Sequence, residues 1–106
     1  MDKPLSEPVL LILMSLAQEP RHGYALLKDI EALSDGRVRL STGTLYGAIV
    51  RMLESQWIER FDQPDKSREK QAYQVTNAGR RRLLAELERM RRLTRLGAAR
   101  LRTGAV

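Results

Sequence analysis

The hydrophobic pattern of this chain changes period twice, and that change limits the possible folds more than any other feature. Up to residue 56, apolar residues recur at helical spacing. Between residues 57 and 75 they collect in two short β-rich runs, Trp57–Asp62 and Gln71–Val75. From Thr76 onward the helical spacing returns. The two runs flank Gln63-Pro64-Asp65-Lys66-Ser67-Arg68-Glu69-Lys70, a polar, turn-forming stretch, and so predict a hairpin with an extended tip. The order helix, helix, helix, hairpin, helix describes a winged helix-turn-helix with a C-terminal helix, a mainly α fold with a small β-hairpin. Residues 1–76 form the winged unit, and residues 77–106 form the C-terminal helix and tail.

Ser6-Glu7-Pro8 opens the first helix, with Ser6 as cap, Glu7 at the positive end of the dipole and Pro8 in the first turn. Val9–Ala17 is then apolar nearly all round. A helix buried on one side shows a stripe, so this one is expected to be covered on two sides, by its own core and by a second copy. Leu10 and Leu13 are the candidate contacts to that copy. The second helix starts at Arg21 or His22, turns Tyr24, Leu27, Ile30 and Leu33 inward with Leu26 alongside, and stops at Ser34-Asp35-Gly36. Arg37–Leu40 is a link with room for a strand stub. Ser41 caps a third helix reaching about Gln56, with Leu45, Ile49, Met52, Leu53 and Gln56 on one face. Gly43, Thr44, Gly47, Val50, Arg51 and Glu54 occupy the opposite face. Thr76 caps the fourth helix, whose Leu83, Leu87, Met90 and Leu93 follow at spacings of 4, 3 and 3. That spacing matches a helix–helix seam, and these four residues are the candidate dimer contacts. Gly97 weakens the helix, and Thr103–Val106 is expected to fray.

The formal net charge of +6 is unevenly placed. Residues 1–76 carry 10 Lys/Arg against 11 Asp/Glu, whereas residues 77–106 carry 9 Arg against 2 Glu. A polyanion partner fits that basic segment, and so does an arginine-rich helix kept soluble by its own charge. With no cysteine, disulfides, thiolate metal sites and thiol nucleophiles are excluded, and a reducing cytoplasm fits. The apolar run Val9–Met14 is far short of the ~20 residues that span a bilayer, so no membrane segment is expected. Asp2 and Glu7 stand where a signal peptide needs basic residues.

Three strings then stand out: His22-Gly23-Tyr24, Ser41-Thr42-Gly43-Thr44-Leu45-Tyr46, and Tyr73-Gln74-Val75-Thr76-Asn77-Ala78-Gly79-Arg80. Each is weak alone, but their order and spacing resemble the PadR family of bacterial transcriptional regulators, over about residues 5–95. The resemblance implies a winged-helix DNA-binding domain, a C-terminal helix that dimerises, and repression relieved by a small molecule. One residue departs from the pattern, because the family commonly has proline after the tyrosine where this chain has Gly47. Glycine inside a helix costs ~1 kcal/mol against alanine, and here it bares the backbone of the outer face beside Gly43. The chain is also short after the hairpin and resembles the compact branch with one C-terminal helix.

The third helix holds the candidate DNA contacts. Ser41, Thr42 and Thr44 place hydroxyls near a helix N-terminus, where backbone N–H groups favour phosphate. Gly43 and Gly47 allow close backbone approach, Tyr46 lies on the flank, and Arg51 is the cation of the outer face. At the hairpin tip Lys66, Arg68 and Lys70 are candidates for groove or backbone contact, although alternation with Asp65 and Glu69 also describes a solvated loop. Arg80-Arg81-Arg82 stands at the unfavourable end of the fourth helix, which calls for a compensating phosphate or acidic surface. Trp57 either faces an effector space or serves as a core or hinge residue.

No catalytic, cofactor or metal site is expected. His22 has no second histidine or cysteine to complete a metal site, and no partner marks it as a general base. It is read as structural, with Gly23 allowing a close neighbour and Tyr24 inserting its ring into the core. Two readings remain. The first is a homodimeric regulator bound to a pseudo-palindromic double-stranded operator, with half-sites ~34 Å apart and an effector of unknown identity. The second is a winged-helix module for protein–protein assembly without DNA, which the near-neutral residues 1–76 favour.

Overall fold

The computed structural model describes residues 3–61 and 71–104. Three of its helices begin on side-chain caps supplied by the local sequence. Ser6 Oγ accepts from the Val9 amide (3.4 Å) at the start of α1, Glu7–Gln18. Ser41 Oγ accepts from the Thr44 amide (3.1 Å) at the start of α3, Thr42–Glu54. Thr76 Oγ1 accepts from the Gly79 amide (3.0 Å) at the start of α4, Asn77–Thr103. The Thr76 hydroxyl also donates to the Gln56 carbonyl (2.6 Å), which ties α4 to the end of α3.

The remaining helix, α2 (Gly23–Leu33), starts without a side-chain cap. It grows instead out of a two-residue strand, β1 (Arg21–His22). With β2 (Ile58–Phe61) and β3 (Ala72–Val75) it forms an antiparallel sheet of order β1–β3–β2. His22 is opposite Ala72, Arg21 opposite Tyr73, and Ile58 opposite Val75. The sequence pattern alone places Arg21 and His22 at the helix start. Two residues are too few to show an alternating pattern, and the pairing depends on a strand some fifty positions away. His22 is thus a rung of the sheet; its side chain does not cap α2, and its Nδ1 is buried without a hydrogen-bond partner among the described residues. Arg37–Leu40 forms no strand.

The core gathers Ile12, Leu13, Leu16, Leu26, Ile30, Leu45, Ile49, Met52 and Ile58. Helix α1 is its centre and touches α2, α3, α4 and β3 of the same chain. The expectation that a second copy must cover the far side of α1 is corrected accordingly. Its own chain buries Val9, Leu11, Ile12, Leu13, Ser15 and Leu16, leaving only Leu10, Met14 and Ala17 as a half-buried strip. Leu13 is 0% exposed within the protomer and so presents nothing to a partner.

One further expectation fails. Tyr24 does not enter the core: it is 65% exposed, with the Lys28 ammonium over its ring. The inward face of α2 is Gly23, Leu26 and Ile30. Helix α4 continues through Gly97 and ends at Thr103, where the tail expected to fray begins.

The first part of α4 packs on the body through Gly79, Leu83 and Glu86. Glu86 is 3% exposed yet charged, because its partners surround it. Arg89 grips it with two bonds (2.8 and 2.9 Å), the Leu5 amide donates to it (2.9 Å), and Arg82 stands 4.0 Å away. The Arg89 hydrogen bonds lead in holding its carboxyl at about 2, against the opposing effect of burial. Arg82 also donates to the Lys3 carbonyl and lies over the Trp57 ring, 5.7 Å from its centroid. The N-terminal segment is thereby strapped to α4, and the unfavourable position of Arg82 on the helix dipole is offset within the chain. Trp57 is half-buried against the core at this junction.

Candidate nucleic-acid interface

The outer face of α3 is built by helical period. Leu45, Ala48, Ile49 and Met52 anchor the inner side, so Gly43, Thr44, Val50, Arg51 and Glu54 face outward and are exposed, while Thr42 is exposed in the first turn. At the N-terminus Ser41 Oγ accepts from the Thr44 amide and donates to Thr44 Oγ1 (3.0 Å).

Neither glycine of this face is required by the fold. A Cβ at Gly43 would meet nothing within 4 Å. A Cβ at Gly47 would meet only the Arg51 guanidinium, at 3.7 Å. Arg51 thus lies back over Gly47, toward the hydroxyl-bearing end of the helix. The result is a smooth backbone strip, edged by hydroxyls and carrying one cation.

Tyr46 behaves differently from its neighbours. It is half-buried, and its hydroxyl lies against Gly23 at the start of α2. Its place is between α2 and α3, where it sets the angle at which α3 is presented. Lys66, Arg68 and Lys70 lie outside the described residues. Of the dimer candidates, Leu83 is buried on its own body, whereas Leu87, Met90 and Leu93 are exposed.

Arg60 is a residue that sequence reasoning missed. It is exposed on β2 and, with Tyr46, Val50, Leu53 and Gln71, lines a cleft between α3 and the hairpin. The signal was available, because strand alternation puts Arg60 on the same side as the buried Ile58, toward α3. Arg37 and Arg39, exposed in the link before α3, escape the same reasoning. Among the described residues, no helix is long and apolar enough to cross a membrane.

Residues 12–85 match the transcriptional regulator PadR-like family. A 37.1 kDa protein of transposon Tn4556 from Streptomyces fradiae is 36% identical over 85 residues, covering 80% of this chain but only 23% of that protein. Among solved structures, a PadR family transcription regulator from Clostridium difficile superimposes with a TM-score of 0.75 at 22% identity, covering 91% of this chain and 99% of its own. A transcriptional regulator from Clostridium thermocellum gives 0.73 at 20% identity, covering 86% and 89%. These likenesses carry the winged-helix fold, and the family match carries DNA-binding transcriptional regulation: the chain belongs to the PadR-like family of transcriptional regulators.

Proposed function

We propose that the chain acts as a sequence-specific homodimer that binds a pseudo-palindromic operator, with α3 in the major groove and the hairpin tip against the flanking backbone. The observation that carries this reading is the outer face of α3. Two glycines that the fold does not need sit among the exposed Thr42, Thr44 and Arg51. Such a strip suits close approach of a groove wall, with Thr42, Thr44 and Arg51 reaching base edges or phosphate. The wing contribution assigned to Lys66, Arg68 and Lys70 belongs to the same proposal.

The dimer is supported by α4. Leu87, Met90, Leu93 and Leu96 form an exposed apolar run on a helix that continues well past the body. Isolated helices of ~12–15 residues are marginal in water, so that face needs cover. Repression relieved by a small molecule is the regulatory scheme that the family resemblance implies, and we adopt it.

The test is a fluorescence-anisotropy titration against duplex DNA from the region upstream of the chain's own gene, with a scrambled competitor and two salt concentrations. A palindromic segment that outcompetes the scrambled duplex is the expected result. In the same assay Arg51→Ala weakens operator binding without altering the sedimentation of the dimer. No binding at low salt overturns the reading in favour of a protein–protein module, and unchanged affinity of the variant removes Arg51 from the interface.

A further inference from the structure

Beyond Glu86 the character of α4 changes. Residues 87–98 and 100–104 are all exposed, and only Ala99 is half-buried. The stretch from Leu87 to Thr103 runs roughly 25 Å at 1.5 Å per residue. No acidic residue follows Glu88. Glu86 engages Arg82 and Arg89, while Arg91, Arg92, Arg95, Arg100 and Arg102 form no ion pair among the described residues.

Three of these arginines share one side. At ~100° per residue, Met90, Leu93, Gly97 and Leu101 fall on one side of the helix with Arg100 at its edge, Arg91, Arg95 and Arg102 fall on the other, and Arg92 lies between. A second copy covering the apolar side leaves the arginine ridge facing outward. Arg91 and Arg95 are one turn apart, a like-charge spacing that destabilises a helix. The ridge is about 17 Å long from Arg91 to Arg102, and beside a DNA axis that length carries roughly ten phosphate charges. The family match makes DNA the polyanion at hand, and guanidinium groups bind its phosphates in planar, bidentate fashion.

We propose that the Arg91–Arg95–Arg102 ridge is a second, sequence-independent contact to the backbone of duplex DNA, separate from α3. It extends the DNA-binding reading of α3 but does not depend on which bases α3 reads. The ridge holds DNA through charge, whereas α3 selects the site.

The experiment measures affinity against salt on an operator duplex and on an unrelated duplex. It compares the wild type, Arg91→Gln/Arg95→Gln/Arg102→Gln, the corresponding triple lysine variant, and Thr44→Ala/Arg51→Ala. The triple glutamine variant should flatten the slope of log K against log salt by about 0.9 for each phosphate that is no longer neutralised, on both duplexes alike. Its preference for the operator should remain. The lysine variant should keep the wild-type slope, which separates charge from packing. The α3 variant should lose operator preference and keep salt-dependent binding. Sedimentation velocity checks the assembly of each variant, and the single Arg95→Gln repeats the test at one position.

An unchanged slope in the glutamine variants, with operator preference intact, overturns the ridge and leaves the α3 reading standing. A wild type without operator preference, whose salt slope the glutamine variants flatten, overturns the α3 reading and leaves the ridge. Binding of the ridge to an acidic peptide, with the duplex slope unaffected, assigns it to an acidic protein and overturns the proposal.

Discussion

The Tyr46 hydroxyl occupies the space that a side chain at Gly23 would need. This contact joins two of the chain's recognisable strings, one at the start of α2 and one in α3. It fixes the helix that faces outward by a ring placed behind it.

Gly23→Ala is expected to destabilise the fold by roughly 1–3 kcal/mol, because the added methyl overpacks against the tyrosine. Tyr46→Phe in the same chain should recover part of that stability by removing the hydroxyl. Urea denaturation of the two single variants and the double variant measures the coupling. Strict additivity would show that the contact carries no energy.

Gly47→Ala should have the opposite effect. The new methyl meets only the Arg51 guanidinium at ordinary contact distance, so the helix gains about 1 kcal/mol of propensity. Operator affinity should fall in the same variant if the backbone is closely approached there. Denaturation and anisotropy on one preparation check both, and a more stable protein with unchanged affinity would remove Gly47 from the contact.

Leu87→Glu/Leu93→Glu should produce a folded monomer. Both side chains are exposed in the protomer, with Leu93 at 51%, so the core does not register the change. Removing two leucines from an interface, each worth roughly 1.5–3 kcal/mol when buried, weakens association at least ~100-fold. Sedimentation equilibrium across a concentration series reads it directly, and an unaltered dimer would place the seam elsewhere.

Glu86 predicts an acid dependence. Its carboxyl titrates at about 2 in the folded chain, below its ordinary value of 4.5. A depressed acid stabilises fully above the ordinary value and loses that contribution as the pH falls toward 2. Wild type should therefore exceed Glu86→Gln in stability near neutral pH, and the gap should close between about 4.5 and 2. A gap that stays constant through that window in thermal melts would show that Glu86 does not act through its charge.

Much of the architecture is written locally. Caps at Ser6, Ser41 and Thr76 act over three or four residues, as do the periods that define α1, α3, α4 and the hairpin. The outward face of α3 follows from the same period. Arg60 was missed because a strand residue was weighed alone rather than against the helix beside it.

By itself, then, the sequence determined the helices, the hairpin and the outward strip of Gly43, Thr44 and Arg51, because caps and periodicity are properties of neighbouring residues. Only the tertiary structure decided who covers whom. An all-round apolar helix reads the same whether its cover comes from its own chain or from another, and α1 proved to be wrapped by its own. It also decided which tyrosine turns inward, that Arg21 and His22 join the sheet, and that Glu86 is clasped by Leu5 across 81 positions. Those outcomes depend on groups far apart in the chain, and periodicity holds no record of such partners.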